Sequence, residues 1–312
     1  MKYLTYKIGE SGCRAGVLDQ SERNIIDLTE LLQAEKTIED VGQLLKDYEE
    51  PARLVQSALE RDDGAARLIS LDAVRICAPI LNPPTIRDAS VFERHVISAG
   101  EHNGVGTPAV WYKAPIYYYQ NTNNITGPGD TIYRKKGSTT LDYEAEVAFV
   151  IGKRGKDIAE EDEEKYIFGF TIFNDWSDRA CCTFEVGFLG LHHGKDSVSA
   201  FGPYIVTMDE FRDLYKDGRL TLKCDVYVNN VHTTDSKTDD MYWTLPQVIS
   251  YISEDTVLVP GDIVGLGTVG TGCIYERPDQ FPYLKDGDVV TMTIERLGTL
   301  QQAVGFLPEQ NA

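Results

Sequence analysis

Seven segments with the residue pattern of β-strands follow one another beyond about residue 80, and they constrain the fold more than any other feature. They are rich in Val, Ile, Tyr and Phe, and Pro-Gly and Asp-Gly turns separate them, whereas no regular series of helices alternates with them. The pattern therefore predicts an α+β chain built on a mixed, mostly antiparallel sheet system. The segments are WYKAPIYYYQ, LDYEAEVAFVIG, YIFGFTIFND, PYIVTM, LTLKCDVYVNN, DTVLVPGDIVGLG and DGDVVTMTIERLG.

The first 76 residues are organised differently and predict a small α+β domain. Three short strand-like segments, KYLTYKI, AGVLD and NIIDL, precede two helical segments. Thr37-x-x-Asp40 resembles a helix start, and Pro51 suits the first turn of the second helix. The proline-rich segment APILNPPTIRD then reads as a linker. We expect a small N-terminal domain over 1–76 and a larger domain over 77–312.

The acidic composition excludes two classes of partner. The chain has 49 Asp and Glu against 30 Lys and Arg, a formal net charge of -19. Nucleic acids and anionic membranes attract basic surfaces, so we expect neither as a partner. No run approaches the roughly 18 apolar residues of a membrane span, and MKYLTYKIGESG lacks the apolar core of a signal peptide, which predicts a cytoplasmic location. The six cysteines form no C-x-x-C pair and are expected to be free thiols.

Two glutamates lie two residues apart in LDYEAEVAFVIG (141–152), a segment that otherwise has the pattern of a buried strand. Glu144 and Glu146 would share one face, roughly 7 Å apart given the ~3.3 Å rise of a strand. If both are buried, each loses several kcal/mol of solvation unless a cation pairs with it. If the strand instead begins at the surface, both lie in water. The segment alone leaves the two alternatives open.

A third acid follows the apolar run YIFGFTIF, which ends at Asn174-Asp175. Asp175 could cap a turn, which is the usual role of Asp at such a position. It could also be a third oxygen ligand beside Glu144 and Glu146. An all-carboxylate set would suit a hard cation such as Mg²⁺, Mn²⁺ or Ca²⁺ rather than zinc.

Three further features have both a structural and a functional interpretation. Asp88 and His95 are seven residues apart in RDASVFERH and would share a face if this stretch were helical. A histidine that faces a cleft is a natural general base. A lone histidine, however, is more often a packing or surface residue. Lys195 in LHHGKDS would usually be a surface lysine. The G-x-G-x-x-G match at 265–270 lacks a following helical pattern, so it predicts a glycine-rich turn near a ligand rather than a dinucleotide site.

Five segments, in this order, resemble the fumarylacetoacetate hydrolase family: DYEAE at 142–146, NDWS at 174–177, GKD at 194–196, PGDIVGLGT at 260–268 and the closing GDVVTMTIERLGTL. The resemblance covers roughly residues 80–305. It implies a β-rich roll of mixed sheets as the catalytic domain, a homodimer, and a divalent metal, Mg²⁺ first, held by carboxylates. The metal ligands that it implies are Glu144, Glu146, Asp175 and, directly or through water, Asp88.

The resemblance also implies the remaining roles. His95 would be the catalytic base and Glu276 the residue that orients it. Lys195 and Arg179 would hold the substrate and stabilise developing negative charge, and Thr268 would contact the substrate. Ser-Asp-Arg-Ala at 177–180 departs from the usual Ser-Ala-Arg-Asp of the family, and Cys182 replaces a common polar residue, so the substrate range is not implied.

These parts imply a metal-dependent hydrolase of a carbon–carbon bond in an acylpyruvate or related diketo acid. A decarboxylase or isomerase of a 2-oxo acid could use the same scaffold and metal. A non-catalytic protein that binds an organic acid is a third alternative.

Overall fold

The computed structural model describes residues 1–61, 67–102, 104, 106–185, 190 and 192–305. Residues 306–312, the end of the expected 77–312 domain, lie outside the described residues, as do 103, 105, 186–189 and 191 within it. The six cysteines are free thiols, which confirms the prediction. In the described part of the chain, no helix is both long enough and apolar enough to cross a membrane.

The described residues form 22 strands, seven α-helices and three 3₁₀-helices. The strands are β1 (Lys2–Lys7), β2 (Arg14–Leu18), β3 (Asn24–Asp27), β4 (Leu68–Ser70), β5 (Arg75–Cys77), β6 (Ile86–Ala89), β7 (Tyr117–Gln120), β8 (Ile125–Thr126), β9 (Thr131–Tyr133), β10 (Leu141–Asp142), β11 (Ala145–Ile151), β12 (Ile167–Asp175), β13 (Ser177–Asp178), β14 (Ser199–Phe201), β15 (Ile205–Thr207), β16 (Tyr215–Lys216), β17 (Arg219–Leu220), β18 (Lys223–Val228), β19 (Val231–Lys237), β20 (Ile263–Gly265), β21 (Val289–Ile294) and β22 (Gly298–Gly305). The α-helices are α1 (Leu28–Leu31), α2 (Val41–Asp47), α3 (Pro51–Arg61), α4 (Glu93–His102), α5 (Arg179–Glu185), α6 (His192–Lys195) and α7 (Leu245–Ser253), and the 3₁₀-helices are Leu71–Ala73, Glu160–Lys165 and Met208–Phe211.

Two sheets carry most of these strands, and they confirm the predicted mixed, mostly antiparallel α+β fold. A 13-stranded sheet runs β4-β3-β2-β1-β15-β12-β11-β20-β6-β7, with β5, β8 and β14 paired beside this path. A five-stranded sheet runs β19-β18-β21-β22-β9. The β14–β8, β20–β6 and β22–β9 pairs are parallel, in contrast to the antiparallel pairs at the centre of the large sheet.

Strand β11 lies in the interior of the large sheet, between β12 and β20. Its alternate residues pack into two different apolar clusters, Val147 and Phe149 into one and Ala148 and Val150 into the other. Because both faces are covered, the strand is buried along its whole length, and the alternative in which it begins in water is wrong.

The first residues of the chain belong to the same large sheet. Strand β1 pairs with β15, with Lys2 opposite Val206, and Tyr3 packs in one cluster with Ala148 and Val150. The first predicted helix begins at Val41, where Asp40 rather than Thr37 caps it. The boundary at residue 76 stays a prediction.

The stretch RDASVFERH is not one helix, so the helical alternative for it is wrong. Asp88 lies in β6, which pairs with β20 and β7, and His95 lies in α4. Tertiary pairing overrides the local helical spacing here, because Ile86–Ala89 is buried between two strands.

Candidate active site

A cavity of about 360 Å³ opens where β6 and β11 meet helix α4. Its floor carries carboxylates and cations, and its outer wall is largely apolar. All nine residues implied by the resemblance line this cavity or contact its lining, since Glu276 lies 3.4 Å from the lining residue His95. The lining includes Asp88, His95, Glu144, Glu146, Arg179, Lys195 and Thr268, and Asp175 contacts Lys195.

The four acids come together because strands of the large sheet deliver them to one place. Ala145 on β11 pairs with Asn174 on β12, which places Glu144 and Glu146 beside Asp175. On the other side of β11, Gly265 of β20 pairs with both Ala148 and Asp88, so β20 connects Asp88 on β6 to the same place. One oxygen from each of the four carboxylates lies within 4.8 Å of the others. All four side chains are buried.

Two cationic side chains neutralise part of this negative charge. The Arg179 guanidinium donates from Nη1 to Glu144 Oε1 at 2.6 Å and from Nε to Asp142 Oδ2 at 2.9 Å. Lys195 Nζ donates to Glu144 Oε2 and, at 2.5 Å, to Asp175 Oδ2. Lys195 is 3 % exposed, so the expectation of a surface lysine is wrong. Helix α6 ends at Lys195, and the side chain points inward, where it pairs with two buried acids.

Glu146 is held without a side-chain cation. Its oxygens accept the Gly267 N–H at 3.1 Å and the Thr268 hydroxyl at 3.3 Å. Burial, together with the charges of Asp88, Glu144 and Asp175, raises the pKa of Glu146 well above its usual range. This carboxylate therefore lacks the positive neighbour that Glu144 has.

The pKa values of the other acids show the same imbalance. Burial raises the pKa of Glu144, but Lys195 and Arg179 outweigh burial and hold it well below its usual range. Burial raises the pKa of Asp175 to about 8, against the attraction of Lys195. Burial likewise raises the pKa of Asp88.

The acidic cluster fits a divalent cation. Asp88 Oδ1 and Asp175 Oδ1 are buried and accept no hydrogen bond, and a buried carboxylate oxygen without a partner costs free energy. Oxygen donors with no nitrogen or sulfur among them match the preference of hard cations. A cation here would supply the positive charge that Glu146 lacks and would satisfy both free oxygens.

Tyr118 is a site residue that the sequence reasoning missed. Its hydroxyl lies 2.6 Å from Asp88 Oδ2 and 2.7 Å from Asp175 Oδ2, so it links two of the acids. Asn174 was also missed; its Oδ1 accepts the Glu144 N–H at 3.0 Å and fixes the backbone there. Strand alternation in WYKAPIYYYQ shows that Tyr118 faces away from its tyrosine neighbours, but only the pairing of β7 with β6 shows which acids it meets.

His95 and Glu276 meet beside the acidic cluster. His95 Nδ1 lies 3.4 Å from Glu276 Oε2, although 181 residues separate them in the sequence. Glu276 is fixed because Oε1 accepts the Thr271 N–H at 3.0 Å and Oε2 accepts the Cys273 thiol at 3.4 Å. Burial raises the pKa of Glu276, but the contact with His95 and the hydrogen bonds from Thr271 and Cys273 outweigh burial and lower it.

The glycine-rich turn has no helix after Gly267, as the rejection of a dinucleotide site predicted. Gly267 has a φ of +86°, and a Cβ at this position would lie 2.6 Å from the Ala89 carbonyl oxygen. The turn therefore brings backbone close to the cavity, where the Gly267 N–H and the Thr268 hydroxyl hold Glu146.

Comparisons with known proteins agree with this geometry. The family model described as fumarylacetoacetate (FAA) hydrolase C-terminal matches residues 85–305. The mitochondrial oxaloacetate tautomerase fahd2 of Xenopus laevis is 33% identical over 252 residues, which cover 80% of this chain and 74% of the relative.

Two solved structures share the fold over nearly the whole chain. The fumarylacetoacetate hydrolase of psychrophilic Exiguobacterium antarcticum has a TM-score of 0.76 at 25% identity, covering 98% of this chain and 100% of its own. The maleylpyruvate hydrolase of Sphingobium sp. SYK-6, in complex with manganese(II) and pyruvate, has a TM-score of 0.71 at 22% identity, covering 98% of this chain and 99% of its own.

Proposed function

Because this chain belongs to the fumarylacetoacetate hydrolase family, we propose that it is a metal-dependent hydrolase that cleaves a carbon–carbon bond in an acylpyruvate or related diketo acid. The observation that carries the proposal is the contact between His95 and Glu276, 3.4 Å apart, where His95 lines the same cavity as three acids of the buried four-carboxylate cluster. Hydrolysis needs a base that can activate water and a centre that stabilises negative charge, and this cavity offers residues for both.

We assign the metal to Asp88, Glu144, Glu146 and Asp175, with Mg²⁺ as the first candidate and Mn²⁺ or Ca²⁺ as alternatives. When bound, the cation would polarise the oxygens of the diketo acid and stabilise the charge that develops on them. The support is the set of unpaired buried oxygens and the all-carboxylate composition of the cluster.

The chain's own residues would carry out the proton transfers. Glu276 holds His95 through Nδ1, so the other ring nitrogen, Nε2, is the one that takes a proton from water. The water oxygen then attacks the distal carbonyl, the carbon–carbon bond breaks, and its electron pair leaves with the pyruvate half. His95 returns the proton to that half, while Lys195 and Arg179 offset negative charge at the floor of the cavity.

An isomerase or tautomerase is the second candidate, and the relative from Xenopus laevis favours it by its name and its 33% identity. The same imidazole could move a proton between carbon and oxygen of a 2-oxo acid without cleaving it. Decarboxylation of a 2-oxo acid would use the same charge-stabilising floor.

A substrate panel distinguishes these candidates. Metal-free protein, reloaded with Mg²⁺ or Mn²⁺, is mixed with acylpyruvates while the ultraviolet absorbance of the diketone, pyruvate and CO₂ are measured. We expect loss of absorbance that requires metal and yields one pyruvate per substrate. Accelerated keto–enol interconversion of oxaloacetate without acylpyruvate cleavage would assign the tautomerase, CO₂ release the decarboxylase, and ligand-induced stabilisation without any product the non-catalytic binder.

A homodimer, a cytoplasmic location and the absence of nucleic-acid or membrane partners remain predictions. Light scattering of the purified protein measures the first, and we expect twice the 34.8 kDa chain mass.

A further inference from the structure

We propose that the acyl end of the substrate is uncharged and apolar, so that this chain selects monocarboxylic diketo acids over those with a second carboxylate. The inference rests on the proposed function, because it assumes that the carboxylate and the neighbouring oxygen of the substrate bind at the floor of the cavity. It concerns the opposite end of the same cavity, where helix α4 and the segment before β7 form the wall.

This wall presents side chains that cannot pair with an anion. It is formed by residues of α4 and of the loop that leads into β7, namely Val96, Ala99, Pro108, Val110, Trp111 and Ile116. Apolar groups of a ligand gain free energy against such a surface, roughly 0.8 kcal/mol per buried CH₂.

The wall is also held in place. The Trp111 indole N–H donates to the Ser90 carbonyl at 2.8 Å, and the Trp111 carbonyl accepts the Trp243 indole N–H at 3.0 Å. Trp111 is 1% exposed and contacts the ring of Tyr242. Because this side chain is fixed on both sides, the shape of the wall is preformed.

The cationic side chains of the cavity lie at its floor and already form ion pairs. Arg179 and Lys195 pair with the buried acids there. Arg87, the residue before Asp88, faces the other side of β6 and lies 3.7 Å from Asp262. Each Lys and Arg of the chain falls within the described residues, and among those residues no other Lys or Arg lines the cavity.

His95 does not offer a place for a second carboxylate either. Its Nδ1 faces the Glu276 carboxylate, and an anion bound at the ring would occupy the position that the proposed water needs. A carboxylate against the apolar wall would therefore lose solvation without gaining a counter-charge. The inner part of the wall thus disfavours dicarboxylic substrates, whereas Val110, which is half exposed, marks the rim that leads to water.

A pair of matched 2-oxo acids tests the inference without turnover. The ligand 6-methyl-2-oxoheptanoate ends in an isopropyl group, and 2-oxoadipate ends in a carboxylate of similar shape. Titration calorimetry on Mn²⁺-loaded protein should give at least about tenfold tighter binding for the isopropyl ligand. Equal affinity, or tighter binding of 2-oxoadipate, would overturn the inference.

Two arginine substitutions at adjacent positions on α4 locate the effect. Val96 lines the cavity, whereas Ile97 is exposed and is not part of the lining, so Ile97→Arg is the matched control. Val96→Arg should improve the relative binding of 2-oxoadipate by about tenfold or more, and Ile97→Arg should leave the preference unchanged. If Val96→Arg does not fold, Val110→Arg at the rim replaces it. An equal shift in the control, or no shift at the wall positions, contradicts the assignment.

A cleavage assay distinguishes failure of this inference from failure of the proposed function. Valeryl- and succinylpyruvate differ mainly in the terminal charge of the acyl group, and we expect kcat/KM to favour the valeryl compound by about tenfold. Preference for succinylpyruvate would refute the apolar acyl end while leaving hydrolysis intact. Failure to cleave either compound would count against hydrolysis, and the two-ligand titration would still decide the character of the wall.

Discussion

At the scale of single residues, the site consists of two pairs of groups with different tasks. Glu144 is neutralised by Arg179 and Lys195, whereas Glu146 is held only by backbone and hydroxyl donors. Beside them, Glu276 Oε2 lies 3.4 Å from His95 Nδ1, and we propose that Glu276 orients the imidazole. The carboxylate cluster and the His95–Glu276 pair share one cavity but have no residue in common, so their roles can be separated by substitution.

The first prediction concerns the His95–Glu276 pair. His95→Ala and Glu276→Gln should each lower kcat strongly, by on the order of 10²-fold or more for the base. Because the base and its orienting partner act as one unit, the double variant should be little worse than His95→Ala alone. Steady-state kinetics of the four proteins measure this, and losses that simply multiply would refute the pair.

The second prediction revises the expected role of Arg179. Its guanidinium is buried and paired with Asp142 and Glu144, so Arg179→Ala removes this cation from Asp142 and leaves Glu144 with Lys195. We expect the free energy of unfolding to fall by about 3–5 kcal/mol in urea titrations of the metal-free protein. Arg179→Lys, which keeps the charge, is the control and should lose less. An unchanged urea midpoint for Arg179→Ala would instead assign Arg179 to substrate alone.

At the scale of secondary-structure elements, the sequence predicted strands better than it predicted connections. The continuous apolar pattern of β11 and β12 was sufficient to predict buried strands, because burial on both faces leaves that signature. The spacing of Asp88 and His95 was misleading, because four residues of β6 are too short to show a strand pattern. Tyr118 and the inward turn of Lys195 depend on which strands and helices become neighbours, and local sequence does not encode that.

The third prediction tests the glycine-rich turn. Gly267→Ala should destabilise the protein and weaken metal binding, because a Cβ there meets the Ala89 carbonyl and the backbone has a positive φ. Gly12→Ala is the matched control, since a Cβ at Gly12 has no neighbour within 4 Å. Thermal melts and Mn²⁺ titrations of both variants provide the comparison. Equal behaviour of the two would show that the turn tolerates a side chain.

The fourth prediction concerns the acid stability of the N-terminal strands. Asp27 caps α1 and accepts from Arg14 Nε at 2.6 Å and from the Tyr6 hydroxyl at 2.6 Å. Burial raises the pKa of Asp27, but these hydrogen bonds outweigh burial and lower it. A lowered folded-state pKa contributes stability above the ordinary carboxyl pKa, and that contribution is lost as pH falls below it.

Asp27→Asn removes this contribution. It should cost about 2 kcal/mol near neutral pH, and its difference from wild type should shrink between about pH 5 and about pH 3. Urea titrations across this range measure the difference. A constant difference at every pH would mean that the ionised carboxylate is not the stabilising group.

At the scale of the whole molecule, the N-terminal strands and the site share one sheet. Strand β1 pairs with β15, β15 with β12, and β12 carries Asp175. The cluster that contains Tyr3 also contains Ala148 and Val150, which lie on the same face of β11 as Glu146. The two expected domains are thus joined by backbone pairing as well as by apolar packing.

The fifth prediction follows from this continuity. A fragment of residues 77–312 should unfold at a lower temperature than the full chain and bind Mn²⁺ more weakly. The fragment lacks β1, so the edge of β15 and one side of the core become exposed to water. Circular dichroism melts and Mn²⁺ titrations of the two proteins test it. A fragment with an unchanged melting temperature and metal affinity would show that the 1–76 segment is an independent domain.

The central claim is that buried carboxylates hold the metal while His95 performs the proton transfer, and one experiment tests both halves. Mn²⁺ binding and acylpyruvate cleavage are measured in the same samples of wild type, Glu146→Gln and His95→Ala. We expect one Mn²⁺ per chain in wild type and His95→Ala, much weaker binding in Glu146→Gln, and cleavage by wild type alone. Unchanged Mn²⁺ affinity in Glu146→Gln, or loss of the metal in His95→Ala, would contradict it.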